Sequence, residues 1–475
     1  MRIQLRHIVP FALLWLVGCG AEMPVAQALP AEAQAEELVQ EQALLQRAGA
    51  RGYLGGTAGV RAVGGVERRH VVGGIYHYSF RLQVGPNAAR DVITLHRVVK
   101  ERAPWAPVRA PESVMMVHGD AWDFTGAFMA STLTQAVPVD HSLALFLAQR
   151  DVDVWGVDLR WTHVPLETQD FSFMKEWNLG THAQDVGKAL SVARQVRRVT
   201  GSGEGKMNLL GWSRGALVSY AWMNAETQLA EGQRHVGGFI PVDQVLRFGP
   251  EADTQRQWAC VRAGLSQMQR DAGRYEGNLM GPGAGLALRQ LGQAAVAFPD
   301  VIAAPPMPPL PYRQLGVTVG AATFTFLANP QYGVEPMVPA YHFTAGQFGA
   351  DGMPVGLRYV QERQFFDFLR AAHPYQSFTE MVESERLLCG DTSLPYDDHL
   401  AQVKVPVLYV GAAGGYGAYG VHSTTLLGSQ DVTVHMVQRL PAEWRVADYG
   451  HADLFLASDA ATAVWAPIHA WMLSH

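Results

Sequence analysis

The sequence predicts an α/β protein with a mostly parallel, doubly wound sheet and one large insertion. Short apolar runs that suit strands alternate with runs of helical spacing, the order that a parallel sheet with helical crossovers requires. The alternation stops between about residues 244 and 402, where Pro-rich and Gly-rich stretches appear, and it resumes after residue 403. One core interrupted by an insertion that packs over it accounts for both observations.

The individual elements follow from the spacing of apolar residues. Apolar or alternating runs predict strands, in chain order, at 71–84, 91–99, 113–117, 152–157, 207–210, 236–242, 405–410 and 432–437. Helical spacing predicts helices at 185–199, 216–223 and 460–473. The core is therefore expected in two parts, residues 70–243 and 403–475, with a cap or lid at 244–402.

The amino terminus is typical of an export signal. Arg2 and Arg6 precede a short apolar stretch that Pro10 interrupts, too short to span about 30 Å of hydrocarbon. Residues 16–19, Leu-Val-Gly-Cys, resemble a bacterial lipobox, which implies that residues 1–18 are removed and that Cys19 carries lipid. Residues 19–69 would then be a spacer in a lipoprotein of the cell envelope. An ordinary signal peptide cut near Ala28 is the alternative.

Composition narrows the class of protein. The 475 residues carry 37 basic and 43 acidic side chains, and a net charge of −6 argues against nucleic acid as a partner. A hydrophobic share of 48% is enough to bury a core. Without Cys19, two cysteines remain, Cys260 and Cys389, which in an oxidising compartment are either bridged or two buried thiols.

A nucleophile is predicted at Ser213. The pentapeptide Gly-Trp-Ser-Arg-Gly at 211–215 follows the strand at 207–210 and opens the helix at 216–223. A serine on such a turn has a strained backbone that only small neighbours tolerate, and the helix amino terminus offers N–H groups to a developing oxyanion. This context distinguishes the motif from a plain glycine-rich turn.

A serine hydroxyl needs a base, and His451 has the right place among the 17 histidines. It lies on the loop between the last strand and the last helix, at the carboxyl end of the predicted sheet, where ligands of open α/β sheets bind. A solvated loop histidine is the alternative.

Together these segments resemble α/β-hydrolases, and among them the acid-lipase branch and related bacterial esterases. The likeness rests on residues 117–120, 153–158, 211–215 and 451–455, and it does not include the insertion. It implies an acyl-enzyme on Ser213 with His451 as base. It also implies an oxyanion hole formed by the N–H groups of Arg214 and of Asp120 (or Ala121). A carboxylate at position 120 is unusual there, so we expect Asp120 to point away or to pair with Arg214.

The third member of the triad departs from the common pattern. The glycine-rich stretch 411–417, after the penultimate strand, contains no carboxylate. Some lipases and dehalogenases of this fold place the acid one strand earlier, and Asp243 occupies that position, in the chain order serine, acid, histidine. Asp397 and Asp398 are the alternatives, and Asp448 is a more remote one.

The sequence thus predicts an exported serine hydrolase of esterase or lipase type that acts on a small or lipid-like ester without metal or cofactor. The insertion would supply an apolar pocket from its methionines and aromatic residues, or these form its own small core: Met307, Met337, Phe343, Phe348, Phe365 and Phe366. A hydrolase of peptide, thioester or carbon–carbon bonds stays open, as does a non-catalytic envelope lipoprotein that keeps the fold.

Overall fold

The computed structural model describes residues 60–305, 307–327 and 337–475. Cys19, the expected signal segment 1–18 and most of the expected spacer lie outside these residues. The described residues form thirteen strands, β1 to β13 in chain order: Arg61–Ala62, Glu67–Val72, Ile75–Gln83, Val92–Ala103, Ala106–Pro107, Ser113–Val117, Asp153–Asp158, Met207–Trp212, Val236–Val242, Gly346–Phe348, Pro354–Leu357, Val407–Ala412 and Val432–Val437.

One mixed sheet organises the chain. Its strand order is β1-β3-β4-β7-β6-β8-β9-β12-β13, with β2 beside β3 and β5 beside β4. The six strands from β7 to β13 are parallel, whereas β4 pairs with β7 in the antiparallel sense. The expected parallel sheet is therefore present, with an antiparallel edge formed by the amino-terminal strands. The strands β6, β7 and β8 are wholly buried, which explains why most of their residues are apolar.

The amino-terminal edge differs from the expectation in two ways. The strand expected at 71–84 is two strands, because Gly73 takes a positive φ of 56° and the chain reverses between β2 and β3. The sheet also begins before residue 70, since Arg61 and Ala62 pair with Gln83 and Leu82. The end of the segment expected as a spacer is thus part of the sheet.

Helices cover both faces of the sheet and form most of the insertion. The α-helices are named α1 to α13 in chain order: Phe124–Phe128, Leu143–Ala148, Leu179–Val199, Arg214–Glu226, Asp253–Asp271, Ala284–Ala297, Tyr312–Ala321, Phe324–Leu327, Glu362–Arg370, Phe378–Cys389, Val421–Thr424, Asp453–Leu456 and Ala466–Met472. Short 3-10 turns lie at Ala130–Leu133, Arg160–His163, Ser172–Met174, Glu231–Gln233, Pro250–Ala252, Leu400–Gln402, Gly417–Gly420 and Ala442–Ala447, and a π-helical turn at Ala461–Trp465 precedes α13. None of the helices in the described ranges is long and apolar enough to cross a membrane.

Residues 244–402, called the cap from here on, contain α5 to α10 and the β10–β11 hairpin. A disulfide between Cys260 and Cys389 joins α5 to the end of α10. Trp122, in the loop after β6, holds the cap to the core, because its indole N–H donates to the Phe368 carbonyl at 2.7 Å and its ring stacks on Phe368 at 4.0 Å. The cap therefore lies over the loop that follows β6.

Candidate active site

Ser213 lies at the turn between β8 and α4, as the sequence predicts. Its backbone has φ 57° and ψ −133°, a conformation that costs a non-glycine residue strain. A Cβ on Gly211 would come within 2.5 Å of the Gly215 carbonyl oxygen, and one on Gly215 within 2.3 Å of the Val117 and His118 carbonyl oxygens. Both glycines are thus required because neighbouring backbone occupies the space of a side chain.

The loop after β6 approaches the serine from the other side. A Cβ on Gly119 would lie 2.6 Å from the Ser213 Cβ, so only glycine permits this approach. His118 is buried and braces the loop, since its Nδ1 bonds the Gly119 carbonyl at 3.0 Å and its Nε2 accepts from the Leu159 N–H at 3.1 Å. Burial lowers the pKa of His118, which fits the neutral ring that these partners require. His118 is therefore structural.

His451 lies on the loop between β13 and α12, and its Nδ1 is 2.7 Å from Asp243 Oδ2. Because Nδ1 faces a carboxylate, the ring keeps its proton there and presents Nε2 as an acceptor. The indole of Trp212, the neighbour of Ser213, stacks on the imidazole with ring centroids 5.1 Å apart. The structure thus confirms the expected contact between Asp243 and His451 and places the histidine ring beside the strand that carries Ser213.

Asp243 follows β9 directly and is fully buried. Its carboxylate accepts backbone N–H bonds from Ala412 at 2.9 Å, Tyr416 at 3.2 Å and Gly417 at 2.8 Å. A Cβ on Gly415 would lie 1.9 Å from Asp243 Oδ2. The glycine-rich stretch that lacks an acid of its own therefore wraps the acid of the preceding strand, and backbone donors satisfy its buried oxygens.

The alternative acids are occupied elsewhere. Asp397 forms an ion pair with Arg247, and Asp398 is exposed. Asp448 accepts from the backbone N–H groups of Arg439, Leu440 and Tyr449, which makes it a cap for the chain that leaves β13. None of the three is among the residues that line the cavity beside Ser213.

Asp120 pairs with Arg214, the outcome expected for an acid at this position. Arg214 Nε lies 2.5 Å from Asp120 Oδ1, and its Nη2 donates to Oδ2 at 2.6 Å. Burial alone would lower the pKa of Arg214, but the carboxylates of Asp120 and Glu380 raise it above its ordinary value. The carboxylate of Asp120 is thus neutralised next to the place where an oxyanion would form.

A narrow cavity of about 90 Å³ lies above Ser213. Its wall contains Ser213, His451, Arg214 and Asp120, together with apolar and aromatic side chains from core and cap: Trp122, Trp212, Leu217, Leu279, Met280, Leu288, Met337, Tyr341, Phe343, Leu388 and Tyr416. The polar side chains Gln244, Asn278, Ser384 and Glu385 complete it.

The six lid residues divide between the two expectations: two line the pocket, two are packed as the alternative of a small core expects, and two lie away from the cavity. Met337 and Phe343 line the cavity, whereas Phe365 and Phe366 are buried in the core and contact the cap glycines Gly320 and Gly316. Phe348 and Met307 also lie away from the cavity, and Met307 is exposed. Amphipathic spacing in a cap helix does not distinguish a residue that packs the cap from one that lines the pocket.

The sequence analysis did not single out Glu380 or Tyr341, although both contribute to the site. The Tyr341 ring lies 5.4 Å from the His451 ring, centroid to centroid, and Glu380 approaches Arg214. Both residues belong to the cap, for which the sequence offered no alternation of strands and helices. The one indication in the sequence is that Glu380 lies between the apolar residues Phe378 and Met381.

Comparison with known proteins shows a similarity of fold. No family model and no curated protein matches the chain. A proposed lipase from Sulfolobus solfataricus superposes with a TM-score of 0.55 at 16% identity, over 87% of this chain and 99% of that one. An esterase from Thermogutta terrifontis (14% identity, 83% and 98% coverage) and a monoglyceride lipase from Saccharomyces cerevisiae (13%, 87% and 96%) both give 0.37, too low to support an argument. The sheet order and the first of these likenesses together show that the chain has the α/β-hydrolase fold.

Proposed function

We propose that the protein is a serine hydrolase that cleaves carboxylic esters. One observation carries the proposal: a fully buried carboxylate, Asp243, holds the Nδ1 side of His451 at 2.7 Å, and this histidine lines the same cavity as Ser213 on its strained turn. A hydroxyl, an imidazole and a carboxylate in this order form the constellation that activates a serine.

The mechanism follows from these positions. His451 Nε2 takes the proton of the Ser213 hydroxyl as Oγ attacks the ester carbonyl carbon, and the backbone N–H groups of Arg214 and Asp120 stabilise the oxyanion. The tetrahedral intermediate collapses when His451 gives its proton to the leaving alkoxide, which departs as an alcohol. Water then attacks the acyl-enzyme with His451 again as base, and the acid is released while Ser213 regains its proton. Asp243 stabilises the imidazolium in both halves.

The cavity supports an ester with a compact apolar group next to the carbonyl. Its free volume is small and most of its wall is apolar, so a short acyl or alcohol group fits between Trp212, Leu217 and Phe343. Long chains would need the cap to move away.

A fluorophosphonate probe and a panel of p-nitrophenyl esters of increasing chain length test the proposal. We expect the probe to modify Ser213 in the folded protein, short esters to be turned over, and Ser213→Ala to lose both signals. Absence of labelling in a folded, soluble sample would favour a binding protein that keeps the fold. Labelling with no turnover of any ester would favour another scissile bond.

We further propose that the protein is exported and anchored by lipid on Cys19. The disulfide between Cys260 and Cys389 supports an oxidising compartment. In a bacterial host fed labelled palmitate, the full chain should take up label and sediment with membranes, and Cys19→Ala should do neither. Label that persists in Cys19→Ala would contradict the anchor without bearing on the hydrolase.

A further inference from the structure

A chain of buried charges connects the candidate oxyanion hole with the cap. Asp120, on the loop after β6, pairs with Arg214, the first residue of α4. Arg214 Nε lies 3.8 Å from Oε1 of Glu380, on the cap helix α10, and Glu380 Oε2 contacts Nδ1 of His182, on α3. Glu380 and His182 are 1% and 0% exposed, so the attraction between Glu380 and Arg214 is poorly screened.

We propose that Glu380 and the Arg214 side chain are positioning residues that set the distance between the two donors of the oxyanion hole. The inference rests on the proposed function. The two donors are the backbone N–H groups of residues 120 and 214, and the side chains of these same two residues are joined by an ion pair with one hydrogen bond, from Arg214 Nη2 to Asp120 Oδ2. A charge-assisted hydrogen bond is short and strong, so the pair holds the two backbone segments together.

Glu380 approaches the same guanidinium nitrogen as Asp120, Arg214 Nε, at the longer distance of 3.8 Å. Arg214 also lines the cavity, and without a second carboxylate its side chain could turn toward the space that substrate occupies. With Glu380 present, two carboxylates compete for the one guanidinium and keep it away from the reacting carbonyl. His182 in turn holds Glu380, which ties the arrangement to the core helix α3.

The cap reaches the same loop at two further points. The His373 N–H donates to the Ala121 carbonyl at 2.6 Å. The Gln376 amide, oriented to satisfy both neighbours, donates to Asp120 Oδ1 at 3.3 Å and accepts from the Ala121 N–H at 3.1 Å. Ala121 itself has a positive φ of 66°, which these contacts hold in place. The cap therefore contacts residues 120 and 121 of the loop directly.

The decisive variant is Glu380→Gln, which keeps the shape of the side chain and removes its charge. We expect kcat and the rate of fluorophosphonate labelling to fall about 10-fold with KM nearly unchanged, less than the about 10²–10³-fold loss when a donor itself is removed. Affinity for a trifluoromethyl ketone, which forms an oxyanion on Ser213, should fall in parallel. Glu383→Gln is the matched control, since Glu383 is buried on the same helix but binds the Leu179 N–H.

Substitutions of Arg214 and Asp120 test the same contacts independently of Glu380. Arg214→Gln should lose more activity than Arg214→Lys, which restores the charge without the planar fork. If Glu380→Gln is unstable, Asp120→Asn replaces it, because 32% of this side chain is exposed and the change is milder for folding. In a double-mutant cycle, Asp120→Asn and Glu380→Gln should be less than additive, since both act through Arg214.

The outcomes separate the two proposals. If the wild-type protein is labelled and hydrolyses esters while Glu380→Gln and Asp120→Asn keep wild-type kcat and inhibitor affinity, the positioning role is overturned and the hydrolase stands. A rise in KM alone would overturn it too, because the residues would then contact bound substrate instead. If the wild-type protein is neither labelled nor active, the proposed function fails and the positioning role with it.

Discussion

At the scale of single residues, the site depends on how Asp243 is held. Its backbone has a positive φ of 45°, and its carboxylate receives three backbone N–H bonds in addition to His451. A buried carboxylate with this many donors is fixed in orientation. Asp243 can reach His451 from the end of β9 because β9 and β12 are parallel neighbours, so their carboxyl ends lie at the same edge of the sheet.

Asp243→Asn should therefore lower kcat by about 10⁴-fold, the cost of the same change in a Ser-His-Asp triad. The amide can donate to Nδ1 and so favours the wrong tautomer of His451. The measurement is kcat on the best ester of the panel, with thermal unfolding to confirm folding.

Asp398→Asn is the control, since it changes an exposed carboxyl away from the cavity. Wild-type turnover in Asp243→Asn, or a comparable loss in Asp398→Asn, would show that the acid has been assigned to the wrong residue.

The site residues that could be predicted from the sequence are those whose positions are marked by elements close to them in the chain. Ser213 could be predicted because the strand, glycines and helix that strain it all lie within about ten residues, and His451 because it follows the last strand. Asp243 was one of several candidates, because only the folded sheet brings it next to position 451. Glu380 was missed, since its partners Arg214 and His182 are distant in the chain and no spacing rule connects them.

At the scale of elements, the stretch 411–417 departs from the common pattern of the fold. Instead of carrying an acid, it forms a tight turn after β12 that points three N–H groups at Asp243. Gly417 takes a positive φ of 50°, and Gly415 passes so close to the carboxylate that no side chain fits. The glycines are required by this close approach, which explains why the stretch lacks any larger residue at these points.

Gly415→Ala should accordingly displace the Asp243 carboxylate from His451, because the added Cβ would lie 1.9 Å from Oδ2. We expect kcat to fall about 10²-fold, part of the about 10⁴-fold loss of the acid itself, with a smaller change in KM.

Gly264→Ala is the matched substitution, because a Cβ on Gly264 would meet open space on α5. It should leave kcat within about two-fold, since an alanine in an exposed helix position is favourable. An unchanged kcat in Gly415→Ala would mean that the turn can move without disturbing the acid.

Elements of the core were more predictable than those of the cap. Most of the parallel strands are buried on both faces and appear in the sequence as short apolar runs, as at 113–117 and 236–242, whereas half of the edge strand β13 is exposed. The cap helices pack on one another and on the core at once, and the β10–β11 hairpin is short, so even a strongly amphipathic helix such as α9 does not show which surface its apolar residues contact. Helix α3 begins at Leu179, before the expected Asp185, because Asn178 caps it by accepting the Thr181 N–H.

At the scale of the whole molecule, buried histidines and buried carboxyls make the free energy of unfolding depend on pH in opposite directions. Burial lowers the pKa of His77 to about 3 and the pKa values of His163 and His235 to about 4. These histidines stay neutral in the folded chain, so the unfolded chain binds more protons between about pH 4 and 6.5. Taken alone, these histidines make the free energy of unfolding rise with pH over that window.

Three buried carboxyls act in the opposite direction from about pH 4 upward, so they offset the histidines below pH 6.5 and act without that offset above it. Burial raises the pKa of Glu226 and Glu276 to about 7 and that of Asp453 to about 8. A carboxyl whose pKa is raised on folding contributes stability below its unfolded pKa and loses it as pH rises through the folded value. The free energy of unfolding should thus decline between pH 6.5 and 8, by about 1.4 kcal/mol per pH unit for each proton concerned.

Asp453→Asn tests this at the group closest to the site. Asp453 Oδ2 accepts from the N–H groups of Gly450 and Ala345, and so joins the loop that carries His451 to the cap. Asparagine resembles the protonated acid but does not titrate, so the decline between pH 7 and 8 should become shallower by up to about 1.4 kcal/mol per pH unit. Urea unfolding at pH 6, 7, 8 and 8.5 measures this slope, and Asp431→Asn, which changes an exposed carboxyl, should keep the wild-type slope. If Asp453→Asn also keeps it, the titrating group lies elsewhere and the His451 loop is not what loses stability in mild alkali.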